Sequence, residues 1–486
     1  MINLAVNEKI RDANAKFCKE KGITLPTFKM MRDPVNNVPE KIKEKLGKVG
    51  LWDINPLNLY RITWKNQQKD VGGGFGEANS LLFPSELTGC KAKIIGLSGR
   101  WFPTGAHKVG ATFGCLVPKL ITGQFDPVTT KAVWPSTGNF CRGGAYVATL
   151  LGCSSIAILP EEMSSERFEW LKSVSGEVIA TPGCESNVKE IFDKCWELRK
   201  SGEKLDIFNQ FEEMGNPLWH YNVTGPAIKE VLERYATREA NFAGSIFSSG
   251  SAGTLGAGYY LKKFFPKAKL AAAEALQCPT LLHNGYGGHR IEGIGDKHVP
   301  WVHDAKNVDM NIAVDDEQTI RLVRLFNEKE GRKVLIENGI SEDLVKKLNL
   351  LGISGIGNLI AAIKFAKYYE LTEKDYVVTV LTDSMQLYAS RVKELKEERG
   401  EYTEKNAHKD LELLHNVTID YLKELTYYDK KAVHNLKYFT WIEQQGRELQ
   451  ELNDQWYDHS AYWNNTLDQV EEIDELIVEF NERIGL

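Results

Sequence analysis

From about Lys91 to Ser390, short β-branched runs that end in small-residue turns alternate with amphipathic stretches. The runs KAVWPSTGN, SIAILP, GEVIATPG, LDIFNQ, GSIFSSGS, KLAAAEALQ and DYVVTVLTDS predict buried strands. Between them, RGGAYVATLLG, ERFEWLKSV, NVKEIFDKCWELRK, GPAIKEVLERYA, LGAGYYLKKF, TIRLVRLFNEKEG and NLIAAIKFAKYY predict helices. Strand, loop and helix in repetition is the pattern of an open α/β sheet, where ligands bind beyond the carboxyl ends of the strands. The flanks lack this alternation. Met1 to about Lys48 is polar and helix-prone, broken by Pro26, Pro34 and Pro39, and is expected to form a peripheral arm. From Arg391 the chain turns to long charged-aromatic helices, whose Trp441, Trp456 and Trp463 suit packing onto the chain's own core or an interface.

With 486 residues, 42% of them hydrophobic, the chain can bury full-sized cores and is not a disordered protein. Its net charge of −6 removes the electrostatic footprint of a general nucleic-acid binder. That charge is unevenly placed: the last 96 residues hold 12 Lys+Arg against 22 Asp+Glu, so the body before them is slightly positive. Eight cysteines without a C-x-x-C pair fit reduced thiols better than a zinc ribbon or disulfide scaffold. Neither a signal-peptide core nor an apolar run of membrane-spanning length is present, so a cytoplasmic protein with no membrane partner is expected.

Four strand-end turns carry candidate chemistry. Ser248-Ser249-Gly250-Ser251-Ala252-Gly253-Thr254 presents backbone N–H groups and hydroxyls at a helix start, which suits a phosphate; it lacks the Gly-Lys-Ser/Thr ending of a nucleotide P-loop. Thr104-Gly105-Ala106-His107-Lys108-Val109-Gly110 sets a lysine among small residues at a helix start, where desolvation and the helix dipole favour Schiff-base chemistry. Pro135-Ser136-Thr137-Gly138-Asn139 and Leu381-Thr382-Asp383-Ser384 supply short hydrogen-bonding groups; singly, each is as well explained as a helix N-cap. Gly352 to Gly357 does not follow the order of a dinucleotide loop, and His283, His289, His298 and His303 lack metal-binding spacing.

Taken together and in this order, the four turns resemble those of the fold-type-II pyridoxal-phosphate enzymes, the group of cysteine synthase, cystathionine β-synthase, threonine synthase and the tryptophan synthase β chain. The likeness spans about Gly96 to Ser390. It implies a two-lobed α/β fold of three-layer αβα open sheets, the tryptophan synthase β-like fold, with a helical C-terminal extension. The domains expected are a helical arm (1–48), a catalytic core (49–400) and an acidic helical extension (401–486). The core divides into a smaller lobe of about 96–212 and a larger lobe of about 49–95 plus 213–400.

The resemblance further implies pyridoxal 5′-phosphate as cofactor, with Lys108 as the catalytic lysine that carries it. Asn139 is implied at its 3′ oxygen, Gly250, Ser251, Ala252, Gly253 and Thr254 around its phosphate, and Ser384 at its ring nitrogen. Ser136, Thr137, Gly138, Gln210 and Gly293 are implied to face the substrate. On residue grounds Asp383 competes with Ser384 for the ring nitrogen, because alternate side chains of a strand face opposite ways; the resemblance favours Ser384. Phe140-Cys141-Arg142 follows Asn139 where cysteine synthases carry Thr-Gly, so a reshaped pocket is expected, with Arg142 either a distal carboxylate anchor or a helix-start charge. The implied activity is β-elimination or β-replacement on a small serine- or cysteine-type amino acid through an aminoacrylate, in a homodimer. The alternatives are the pyridoxal-phosphate chain of a 2-amino-4-oxopentanoate thiolase with a small partner subunit, another fold-type-II lyase, and a non-enzymatic partner-binding scaffold.

Overall fold

A computed structural model of the chain describes residues 1–136, 138–184, 186–235 and 239–485. Among these residues eleven strands form two sheets: β1 (Ser80–Phe83), β2 (Lys93–Ser98), β3 (Lys131–Pro135), β4 (Ser155–Pro160), β5 (Glu177–Thr181), β6 (Leu205–Ile207), β7 (Asn241–Ser248), β8 (Lys269–Ala275), β9 (Met310–Val314), β10 (Asp375–Leu381) and β11 (Leu422–Glu424). The smaller sheet has the order β5-β4-β3-β6 and is parallel throughout. The larger has the order β1-β2-β10-β7-β8-β9-β11, parallel except for its antiparallel edges β1 and β11. Unbroken apolar strands such as β4 are buried on both faces, as parallel strands between helical layers are.

All seven strands expected from the sequence are present. β1, β2, β9 and β11 were not expected; they are short, and β2 is interrupted by Gly96. A Cβ at Gly96 would lie 2.9 Å from the Leu381 side chain, so the residue that weakens the strand pattern is the one that lets β10 close upon it. The stretch TIRLVRLFNEKEG is not one helix: Glu328 is extended and divides Asp316–Asn327 from Lys329–Glu337.

The N-terminal residues are not peripheral, contrary to expectation. Helix Glu8–Glu20 packs between helices Lys108–Thr122 and Val470–Ile484, and Cys18, Ile23, Leu25, Phe28 and Met31 are buried. Asn14 Nδ2 donates to the carbonyls of Leu120 (2.9 Å) and Phe125 (2.8 Å). A polar sequence hid this role because few side chains do the packing.

The C-terminal residues form helices and also contribute β11 to the larger sheet. Trp441, Trp456 and Trp463 are buried against the chain's own body. Trp441 Nε1 donates to the Val299 carbonyl at 2.9 Å, and Lys437 Nζ donates to the Trp301 carbonyl (2.9 Å), the His303 carbonyl (2.5 Å) and Gln455 Oε1 (2.7 Å). Lys437→Met should therefore lower unfolding stability by at least about 2 kcal/mol, since buried acceptors lose their donor, measurable by urea titration. All eight cysteines are unpaired, and among the described residues no single helix is long and apolar enough to cross a membrane.

Candidate active site

The site lies where the carboxyl ends of β3, β7 and β10 converge. Lys108 opens helix Lys108–Thr122 after a tight turn in which Thr104 takes a left-handed conformation (φ 69°). Glycines let this helix seat deeply: a Cβ at Gly110 would fall 2.1 Å from the Trp219 ring, and one at Gly143 would lie 2.9 Å from Val109 Cα. Lys108 Nζ donates to Ser251 Oγ at 2.9 Å, which also accepts from Asn216 Nδ2 at 3.1 Å.

Ser251 belongs to the loop between β7 and helix Leu255–Phe264. Among the described residues, no N–H from Gly250 to Thr254 donates to a backbone carbonyl, and Ser249 Oγ is buried without a partner. Ala252 is left-handed (φ 63°), which curls the loop tightly. A Cβ at Gly253 would lie 2.0 Å from Asn216 Oδ1, so the loop is pressed onto the segment after Gln210. Across the cleft, β3 delivers Ser136 and then Asn139 at the start of helix Asn139–Leu150. Gln210 Nε2 donates to Ser136 Oγ at 3.1 Å. Asn139 Nδ2 donates to Asp383 Oδ2 at 2.6 Å, while its Oδ1 is buried without a partner.

One narrow cleft is lined by Lys108, Ser136, Asn139, Gln210, Gly250, Ser251 and Gly293, together with Phe140, Phe211, Gly295 and Thr382. Gly138, Ala252, Gly253, Thr254 and Ser384 stand beside these residues in the chain without lining the cleft, and Thr137 lies outside the described residues. Arg142 does not line it either: its guanidinium sits over the Trp170 ring at 4.6 Å and the Trp52 ring at 5.7 Å, fully buried. Burial and the nearby Arg167 push its pKa down to about 10. His107, beside Lys108, is held well below the ordinary imidazole range by burial and by that lysine, and its Nε2 lies 3.3 Å from Thr382 Oγ1. Among the described residues no cluster of His, Cys, Asp or Glu could hold a metal.

Residues 102–338 match the family described as pyridoxal-phosphate dependent enzyme. A cysteine synthase of Staphylococcus aureus is 32% identical over 269 residues, 55% of this chain and 78% of the relative. The chain belongs to the pyridoxal-phosphate-dependent enzymes. Cystathionine β-synthase of Saccharomyces cerevisiae is 26% identical over 312 residues, 62% of this chain and 58% of the relative. Among solved structures, an O-acetylserine-dependent cystathionine β-synthase from Helicobacter pylori is 25% identical with a TM-score of 0.54, covering 65% of this chain and 95% of that one. A hydrogen sulfide-producing enzyme from Fusobacterium nucleatum shares the fold at 24% identity and a TM-score of 0.55, covering 64% of this chain and 95% of that one.

The residues of this pyridoxal-phosphate-dependent enzyme fit the cofactor. Uncommitted N–H groups at a helix start and the orphaned Ser249 hydroxyl could hold its phosphate; the orphaned Asn139 oxygen and Lys108 Nζ stand across the same cleft. The sequence did not single out Asn216, Arg167 and Tyr388. Arg167 lies in the helix Ser165–Val174, which the sequence predicted without a site role, and it is 1% exposed. No local pattern separates a buried arginine from a surface one. Asn216 stood in the sequence only within Asn216-Pro217, which follows the Gln210 segment and shares its resemblance to the family's second substrate-facing segment.

Proposed function

We propose that this enzyme catalyses β-replacement on a serine-type amino acid activated at its hydroxyl, with a sulfur nucleophile as second reactant, and that Lys108 carries the cofactor. The observation that carries this reading is the single cleft joining Lys108 to the phosphate-type loop and to Ser136, Asn139 and Gln210. The named relatives support its reaction class: they are cysteine synthases and cystathionine β-synthases. They give no support to the 2-amino-4-oxopentanoate thiolase alternative.

Bound pyridoxal phosphate supplies an electron sink that acidifies the Cα–H bond of an amino acid. Lys108 Nζ would hold the cofactor and would serve as the base that takes the Cα proton. The Gly250–Thr254 amides would hold the phosphate, and Ser384, which stands next to the cleft rather than in its lining, would supply a hydroxyl for the ring nitrogen; a neutral hydroxyl there would not keep that nitrogen protonated, which would favour departure of a β-substituent. Ser136 and Gln210 would bind the substrate carboxylate, with Gly293 in the same cleft lining. Phe140 and Phe211 add the apolar part of the cleft lining. Overall, the bond from Cβ to the leaving oxygen breaks, a Cβ–S bond forms, and the thiol proton balances the departing carboxylate.

Purified protein incubated with the cofactor should turn yellow and form cysteine from O-acetylserine and sulfide. Colourless protein, or holoenzyme that turns over none of serine, O-acetylserine and cysteine, would overturn the reading; turnover of a 2-amino-4-oxo acid with coenzyme A would move it to the thiolase. Gln210→Leu should raise KM for the amino acid about tenfold with a smaller change in kcat, as expected for one lost hydrogen bond to a charged group. We place the enzyme in the cytoplasm as a homodimer, supported by its unpaired cysteines and its likeness to the family; sedimentation checks the oligomer.

A further inference from the structure

We propose that Asp383 is a positioning residue that fixes the amide of Asn139 toward the cofactor, and that it does so as the hub of a buried bridge between the two sheets. The proposal rests on the reading that Asn139 meets the cofactor. Asp383 follows β10 of the larger sheet, whereas Asn139 follows β3 of the smaller, so their 2.6 Å hydrogen bond crosses between them. The same carboxylate oxygen accepts from Tyr388 Oη at 2.7 Å, and Tyr388 Oη accepts from Arg167 Nη2 at 2.7 Å. Arg167 comes from the helix Ser165–Val174, which packs on the smaller sheet. Its Nη1 pairs with Glu292 at 2.9 Å on the loop beside the cleft, and Glu292 also accepts from Arg391 Nε at 2.6 Å.

Asp383 is wholly buried. Burial raises its carboxyl pKa against the opposing influence of Arg167, Tyr388, Asn139 and Arg142, which are the groups facing it. Its second oxygen, Oδ1, has no hydrogen-bond partner but lies against Gly352, where a Cβ would fall 1.9 Å away. Gly352 caps helix Ile353–Tyr368, so this oxygen also meets the positive end of a 16-residue helix. These surroundings compensate a charge that has no contact with water.

The consequence for Asn139 follows from hydrogen-bond chemistry. A carboxamide has nearly the same shape either way round, with a donor and an acceptor exchanged by a half-turn. Asp383 Oδ2 accepts from Tyr388 and from Asn139 Nδ2, which commits that amide nitrogen to Asp383 and leaves Asn139 Oδ1, without a partner within the protein, for the cleft occupant. Ser384, not Asp383, is then the residue of this segment left for the ring nitrogen. A chain with an apolar residue at 383 would leave the amide free to turn.

The test compares holoenzymes. Asp383→Asn keeps size but removes the obligatory acceptor; it should alter the absorption spectrum of bound cofactor and its pH dependence, and weaken cofactor binding about tenfold. Tyr388→Phe removes the hydroxyl that bonds both Asp383 and Arg167 while keeping the Asp383–Asn139 contact and the direct Arg167–Asp383 pair at 4.0 Å; it should lower the melting temperature and leave the spectrum unchanged. If Asp383→Asn keeps the wild-type spectrum and cofactor affinity and loses only melting temperature, the proposal is overturned. Should that variant fail to fold, Asn139→Asp answers the same question: two facing carboxyls must share a proton, so cofactor affinity should rise as pH is lowered from about 8.5 to about 6.5, and a pH-independent affinity would overturn the proposal. Failure of wild-type protein to bind the cofactor at all would instead refute the functional reading.

Discussion

Replacing Lys108 by alanine is expected to lower turnover by at least about three orders of magnitude, since it removes both the covalent attachment and the base at Cα. The expected chemical signature is more specific than lost activity. Borohydride reduction of wild-type holoenzyme should fix the cofactor on the peptide that contains Lys108, and the variant should yield no adduct there. Because the Gly250–Thr254 amides are untouched, the variant should still retain cofactor without the bond. Two other lysines drawn partly or wholly out of solvent, Lys119 and Lys437, are poorly placed to substitute. Although burial disfavours its charge, Lys119 is held protonated by Glu213 and Asp206, and Lys437 is locked among carbonyls beneath the C-terminal helices. An adduct on any other lysine in the wild-type protein would refute the assignment.

The second large effect is expected from acid, at the contact between the C-terminal helices and the Val299–Asp304 loop. His303 and His434 are buried there, and burial together with the nearby Lys437 pushes both pKa values down to about 3. An imidazole that titrates near 6.5 when unfolded but stays neutral when folded gives the unfolded state the larger proton uptake. Its contribution is therefore complete above about pH 6.5 and is lost as pH falls, at about 1.4 kcal/mol for each unit until the folded value is reached. The pair together should cost about 3 kcal/mol per pH unit, and protonation in place would add charge beside Lys437. The measurement is the stability gap between wild type and a His303→Asn, His434→Gln double variant from pH 7.5 to 5.5. Groups that titrate elsewhere cancel in this difference. A gap that does not shift toward the variant as pH falls would exclude the two histidines.

Several site residues were legible because local rules act on them. A β-branched run, a turn of small residues and an amphipathic helix recur together, so the turns at Lys108, Asn139, Gly250 and Ser384 stood out before any tertiary contact was known. The same rules failed where a residue's part depends on what meets it from far along the chain. Arg142 read equally as a carboxylate anchor or a helix-start charge, and it is neither in the cleft nor in solvent but beneath two tryptophan rings. Strand alternation could not tell Asp383 from Ser384, and the hydrogen bond that occupies Asp383 comes from Asn139, 244 residues away. The polar N-terminal helices looked detachable, yet Asn14 and Phe28 brace the far side of the lysine helix.

The cofactor class was implied by the resemblance of the four turns to a known family; the sequence by itself determined the α/β alternation, the order of those turns and the separation of a slightly positive body from an acidic tail. Those properties follow from short-range periodicity, turn chemistry and composition, which need no knowledge of neighbours in space. Only the tertiary structure decided that the tail packs on the loop beside the cleft and adds a strand to the larger sheet, that the first residues support the lysine helix, and that Asp383 holds Asn139 across two sheets. The reason is that burial and pairing of a polar group are set by residues hundreds of positions apart, and a buried arginine or carboxylate is spelled with the same letters as a solvated one.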